Sequence, residues 1–238
     1  VDMPGKCVHF DCVVSEDFTN KYGFSKNVCS DCSKEHYFDK EGNELVLADL
    51  VLSDDKTKLL GCNNLAEASL LYIPNTIKTY EDTNIFYACQ NIKCVYIEEG
   101  IAPTQHLWLP NTQGRIYIPA TFHINLYSKT VNTVIFEEGR ENMDQYGFYS
   151  FYTGSNLSCA NITNLVLPST LKKVKESVSN AAKITNLFYK GTEEQWSLID
   201  FEVNNDPLIT SNRYYYSEEK PTTEGQYWHY VNFEPTAW

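Results

Sequence analysis

The feature that most constrains this chain is a short apolar phrase that returns six times, closed by a proline or by a turn that ends in glycine. The copies are Leu71-Tyr72-Ile73-Pro74, Val95-Tyr96-Ile97-Glu98-Glu99-Gly100, Ile116-Tyr117-Ile118-Pro119, Val134-Ile135-Phe136-Glu137-Glu138-Gly139, Leu165-Val166-Leu167-Pro168 and Leu187-Phe188-Tyr189-Lys190-Gly191. Their third apolar residues are 24, 21, 18, 31 and 22 residues apart. That spacing, about 23 on average, lies in the range of stacked repeat units. Leu50-Val51-Leu52 stands 21 residues before Ile73 and reads as an earlier copy. Proline has no N–H to extend a ladder and glycine accepts positive φ, so either ending stops a strand and turns the chain.

Within each phrase the side chains alternate, so the first and third residues face an interior and the middle one faces outward. Laid side by side, the copies would align Tyr72, Tyr96, Tyr117, Ile135, Val166 and Phe188 as an aromatic and apolar stripe. Such surface marks interaction sites, and tyrosine gives large contact area at low entropic cost. This row is the candidate ligand-binding face. The same row could serve only to stack neighbouring strands. The acidic pairs Glu98-Glu99 and Glu137-Glu138 would lie along one rim of the sheet as a solvated edge. Upstream of three phrases, Cys62, Cys89 and Cys159 each precede an apolar residue by three places. They read as buried structural thiols behaving as small hydrophobes.

These residues resemble the BspA-type leucine-rich repeats of bacterial surface proteins, whose phrase is approximately Phe-x-x-Cys-x-x-Leu-x-x-Val-x-Ile-Pro. Phe86 to Gly100 and Cys159 to Pro168 carry the likeness best, and it extends over about residues 45 to 190. The resemblance implies a β-rich leucine-rich-repeat solenoid with parallel strands, short turns or helical segments and a right-handed coil. Six to seven coils would occupy 45–191, between a Cys-containing segment at 1–44 and an α+β cap at 192–238. The 18- and 31-residue steps and the extra phrase Leu107-Trp108-Leu109-Pro110 depart from a strict register. The implied function is a cell-surface or secreted recognition and adhesion module that binds a protein, such as host extracellular matrix or another cell surface. A structural spacer in a larger secreted protein and a carbohydrate-binding accessory module, stacking sugars on Trp228, Tyr230 and Trp238, are the alternatives.

At the chain's end, Thr192 and Gln195 have capping-box spacing ahead of Trp196, which predicts a short helix. At its beginning, Cys7, Cys12, Cys29 and Cys32 have the two-knuckle spacing of a structural zinc site, with His9 and His36 close by. The same four thiols could equally form two disulfides or neither.

Charge and motifs narrow the function classes. With 19 basic and 31 acidic residues, the formal charge of −12 opposes nucleic-acid binding, and no apolar run has the length of a membrane span. The chain carries no glycine-rich phosphate loop, no His-Glu-x-x-His and no Gly-x-Ser-x-Gly elbow. Its histidines, at 9, 36, 106, 123 and 229, share no spacing. The expectation is a non-enzymatic protein with no catalytic residues and no required cofactor, a structural zinc at the four cysteines being one of the readings left open.

Overall fold

The structure, a computed structural model, describes residues 10–109, 112, 114–126, 131–143, 162–176 and 184–238. Strand β1 (Phe10–Cys12) leads into helix α1 (Glu16–Tyr22), followed by β2 (Phe24–Cys29), β3 (Glu35–Asp39) and β4 (Glu44–Leu45). Helix α1 starts where the Ser15 side chain accepts the Phe18 amide, and Glu16 and Asp17 complement its positive end. It stops at Gly23, whose φ of 84° lets its N–H turn back onto the Thr19 carbonyl. The four strands pair antiparallel in chain order.

The chain continues through β5 (Leu50–Leu52), β6 (Lys58–Cys62), β7 (Leu70–Ile73), β8 (Thr79–Tyr80), β9 (Cys94–Ile97), β10 (Leu107–Leu109), β11 (Gly114–Ile118), β12 (Ile124–Leu126) and β13 (Val131–Phe136). Then come β14 (Asn142–Met143), β15 (Asn164–Leu167), β16 (Lys173–Val174), β17 (Asn186–Tyr189) and α2 (Glu193–Ser197). The last elements are β18 (Asp200–Phe201), α3 (Asp206–Thr210), β19 (Asn212–Tyr216), β20 (Tyr227–Val231) and β21 (Glu234–Ala237). Each of the six phrases falls on a strand, from β7 to β17. Strands β7 and β9 pair with each other, while β11-β13-β15-β17-β19-β20-β21 form one seven-stranded sheet, parallel as far as β20 and antiparallel at β21. Three smaller sheets, β10-β12, β14-β16-β18 and β5-β6-β8, complete the set.

This arrangement overturns the expected leucine-rich-repeat solenoid. The protein is mostly β, but the strands among the described residues divide among six sheets, of which the seven-stranded one and β5-β6-β8 are mixed in direction and β1–β4 is antiparallel. Pairing is antiparallel throughout β1–β4, between β5 and β6 and at the final hairpin. Among the described residues no helix lies between β2 and Thr192. A single coil would carry all six phrases in one continuous ladder, whereas they lie in two separate sheets. The additional phrase at β10 pairs with β12 in a sheet of its own, and among the described residues no ladder joins β9 to β11. Leu50–Leu52, read as an early repeat, runs antiparallel to β6 instead.

The first and third residues of all six phrases enter one apolar core, together with Phe86, Cys89, Ile92 and Phe122. The middle residues lie on the other face of the sheets. A one-residue slip would exchange the two sets, so the pattern specifies register strongly. An asparagine row supports the same register: Asn164, Asn186 and Asn212 stand side by side, and the Asn186 amide donates to Asn164 Oδ1 at 2.9 Å. Of the three thiols expected inside, Cys89 is buried and Cys62 half-buried, whereas Cys159 lies outside the described residues. Burial pushes the Cys89 thiol up to about 11. Helix α2 opens with the capping box itself: Thr192 accepts the Gln195 amide while the Gln195 side chain accepts the Thr192 amide.

Candidate functional site

The row proposed as an exposed face is largely covered by the chain's own two ends. Tyr72 faces Tyr96 across β7–β9, and Tyr117, Ile135, Val166 and Phe188 follow one another across β11–β17. Ile135 and Val166 are fully buried, while Phe188 and Tyr117 keep only 3% and 6% of their surface. Tyr72 and Tyr96 are half-buried and stacked, with ring centroids 5.3 Å apart. Helix α1 lies over this half of the row. The Tyr22 ring stands 4.6 Å from Tyr96 and 5.5 Å from Tyr117, and Phe18 stands 5.1 Å from Tyr96. At the other end Trp228 packs 5.3 Å from Phe188 and sends its indole N–H to the Tyr189 carbonyl. Alternation predicts which side chains share a face. It is silent about a distant segment folding back to cover that face, although the aromatic residues of both ends supply a matching surface.

The two ends are joined through Arg115, one residue before the third phrase. Its Nη1 donates to the Phe233 carbonyl and pairs with Glu234 Oε1, both at 2.6 Å. Its Nη2 donates to the carbonyls of Asn20 (2.7 Å) and Lys21 (3.0 Å) at the end of α1. Tyr117 adds a hydroxyl donor to the Phe233 carbonyl at 3.1 Å. That carbonyl is presented by a two-residue hairpin turn in which Asn232 and Phe233 both take positive φ, 50° and 64°. Phe233 sits where glycine is usual, so the turn is strained, and three interactions hold it. No motif in the sequence singles out Arg115.

Along this seam a cleft of about 470 Å³ remains, lined by Lys21, Tyr117, Ile135, Glu137, Lys190, Tyr230, Asn232 and Phe233. Two of the predicted row, Tyr117 and Ile135, contribute to it. Lys21 pairs with Glu137 at 2.6 Å and lies 4.9 Å from the centre of the Tyr117 ring. Burial opposes the Lys21 charge, but the hydrogen bonds to Glu137 and Tyr22 outweigh it and raise its pKa. Lys190 is placed differently. Its ammonium is 4.0 Å from Glu138 and 5.9 Å from the Tyr230 ring centre, and burial pulls it below the ordinary lysine range. Burial likewise pushes Tyr117 up to about 12 and Tyr230 further still, so both rings present neutral hydroxyls. Two lysines against one carboxylate make the lining net positive by one charge, on a chain whose total is −12.

The other predicted groups are not gathered at this seam. Of the acidic pairs, Glu137 serves the cleft, while Glu98 accepts the Asn75 amide and Glu138 the Ser169 hydroxyl. Trp228 is buried, Tyr230 lines the cleft, and Trp238 stacks on His229 at 3.6 Å, so the three do not form one sugar platform. Cys7 lies outside the described residues. Cys12 and Cys32 are exposed and Cys29 is buried, with Cys12 opposite Asn27 and Cys29 opposite Phe10 in the β1–β2 ladder. Among the described residues no three His, Cys, Asp or Glu side chains converge as metal ligands. No helix among them is long and apolar enough to cross a membrane. No protein-family model, curated protein or solved structure matches this chain.

Proposed function

We propose that the protein is a non-enzymatic recognition module, secreted or displayed at a cell surface, that binds a protein ligand such as extracellular matrix or another cell's surface. The contact is the cleft between α1 and the β20–β21 turn rather than the open aromatic stripe. The observation that supports this best is the composition of that cleft: Tyr117, Tyr230 and Phe233 line it over the buried Ile135, with a few charged groups at its side. Binding sites combine a mostly apolar lining with sparse polar groups that orient the ligand, within roughly 300–1,000 Å³. The Lys21 ammonium and Glu137 carboxylate satisfy each other in a 2.6 Å pair, an arrangement suited to holding a wall in place rather than to exchanging protons.

The test is surface plasmon resonance of the intact chain over immobilised matrix proteins and whole cells. Lys190→Glu is the disrupting variant and exposed Lys175→Glu the control. Capture of at least one protein ligand, weakened tenfold or more by Lys190→Glu and unaffected by Lys175→Glu, is the expected result. Failure to capture any of them, or equal capture by both variants, overturns the reading.

A further inference from the structure

Resting on that reading, we infer that the group entering the cleft is a peptide carboxylate carried within one residue of an aromatic or aliphatic side chain. The two lysines of the cleft are matched differently. Lys21 already has Glu137 at 2.6 Å, whereas Lys190, with only 20% of its side chain exposed, has Glu138 at 4.0 Å, the outer edge of ion-pair contact. An ammonium taken out of water without a close counter-ion is costly to keep. An arriving carboxylate supplies that counter-ion.

The rest of the lining selects what the carboxylate is attached to. Beside the charged groups the lining is three aromatic residues, Tyr117, Tyr230 and Phe233, with Asn232 as its one uncharged amide, so an apolar stem fits it and aromatic stems gain most. Arg115 does not compete for the anion, because its guanidinium is engaged by three carbonyls and Glu234. A phosphate dianion is disfavoured. It would bring twice the charge within reach of Glu137 and Glu138, the carboxylates beside Lys21 and Lys190, and a single compact ammonium offers no fork to hold it. Only a singly charged, planar acid satisfies Lys190 without leaving excess negative charge against those two side chains. Because the chain as a whole is acidic, this selection acts at contact range rather than through long-range attraction.

Calorimetric titration of the full chain with N-acetyl-phenylalanine, N-acetyl-phenylalaninamide and inorganic phosphate tests the inference. The acid should bind at least tenfold more tightly than the amide and than phosphate. Lys190→Met, which keeps the stem and removes the charge, should erase the acid's advantage, while Lys175→Met leaves it intact; a thermal scan of each variant checks that it folds. A peptide ending in a free phenylalanine carboxylate, set against an amidated peptide with an internal Glu-Phe pair, tells whether a chain terminus or a side chain supplies the acid. Equal binding of acid and amide, or an acid preference that survives Lys190→Met, overturns the inference. If matrix capture is lost with Lys190→Glu while acid and amide bind alike, the recognition reading stands and this one falls. If the acid is preferred but no protein is captured, the reverse holds.

Discussion

Replacing Arg115 with methionine should loosen both ends of the chain in one step, since its guanidinium bonds to the end of α1 and to the β20–β21 turn. The side chain is only 9% exposed and makes three hydrogen bonds to carbonyls besides its contact with Glu234. Hydrogen bonds from a charged donor contribute about 1.5 kcal/mol or more each, so the three together amount to about 4–5 kcal/mol. Glu234 is 55% exposed. Its pair with Arg115 therefore adds at most about 1 kcal/mol, while water admitted to the freed carbonyls returns part of the loss. The net destabilisation is about 3 kcal/mol, equivalent to a fall in Tm of about 6–12 °C for a chain of this length. Circular dichroism melts give the stability, and limited proteolysis with mass mapping shows where the chain opens. Cleavage should appear first near residues 15–23 and 227–238. Lysine at position 115 keeps the charge but cannot reach both ends with one ammonium, so it should restore less than half of the loss. A fall in Tm below about 3 °C, or unchanged proteolysis at both ends, would refute the reasoning.

Three further outcomes follow from the same structure. Trp228→Ala removes a fully buried indole and its hydrogen bond to the Tyr189 carbonyl, and should cost about 3–5 kcal/mol in chemical denaturation. Thr192→Ala breaks the capping box of α2 and should cost about 1 kcal/mol, with the rest of the melt unchanged. Burial holds Tyr72, Tyr96, Tyr117 and Tyr189 up near 12, well above the tyrosine value of 10. A raised folded-state pKa means that stability is complete below pH 10 and is lost as pH rises from 10 towards 12, because only the unfolded chain ionises in that interval. Denaturation midpoints measured across that interval should decline together with the rise of tyrosinate absorbance; midpoints that stay level would contradict the assignment.

Local features of the fold were legible in the residues, and long-range ones were not. All six phrases are strands, and in each the inner pair and the outer residue are separated by alternation, as in Leu165, Val166 and Leu167. Gly100 and Gly139 turn the chain at positive φ after their acidic pairs, and Thr192 caps its helix through Gln195. These outcomes depend on neighbours a few residues apart. The partner of each strand does not. Leu50–Leu52 has the composition of a repeat, yet it pairs antiparallel with the strand that follows it. The recurring phrase reads as one stack of repeats, whereas its six copies lie in two separate sheets, β7-β9 and the seven-stranded sheet that begins at β11. The cleft shows the same division. Tyr117 and Ile135 belong to a recognisable row, but Lys21, Lys190 and Tyr230 reach it from segments separated by up to 209 residues, and Arg115 looks like an ordinary surface charge until the ends are seen to meet on it.

On this structure the aromatic row from Tyr96 to Phe188 packs under the chain's own ends, with the cleft of Lys21 and Lys190 along their seam. Nuclear Overhauser contacts between aromatic rings test it most directly, read with a soluble paramagnetic relaxation agent in the buffer. Cross-peaks are expected from Tyr22 to Tyr96 and to Tyr117 and from Trp228 to Phe188, with Phe188 shielded from the agent. Absence of those cross-peaks, with Phe188 relaxed as strongly as exposed Tyr87, would contradict it.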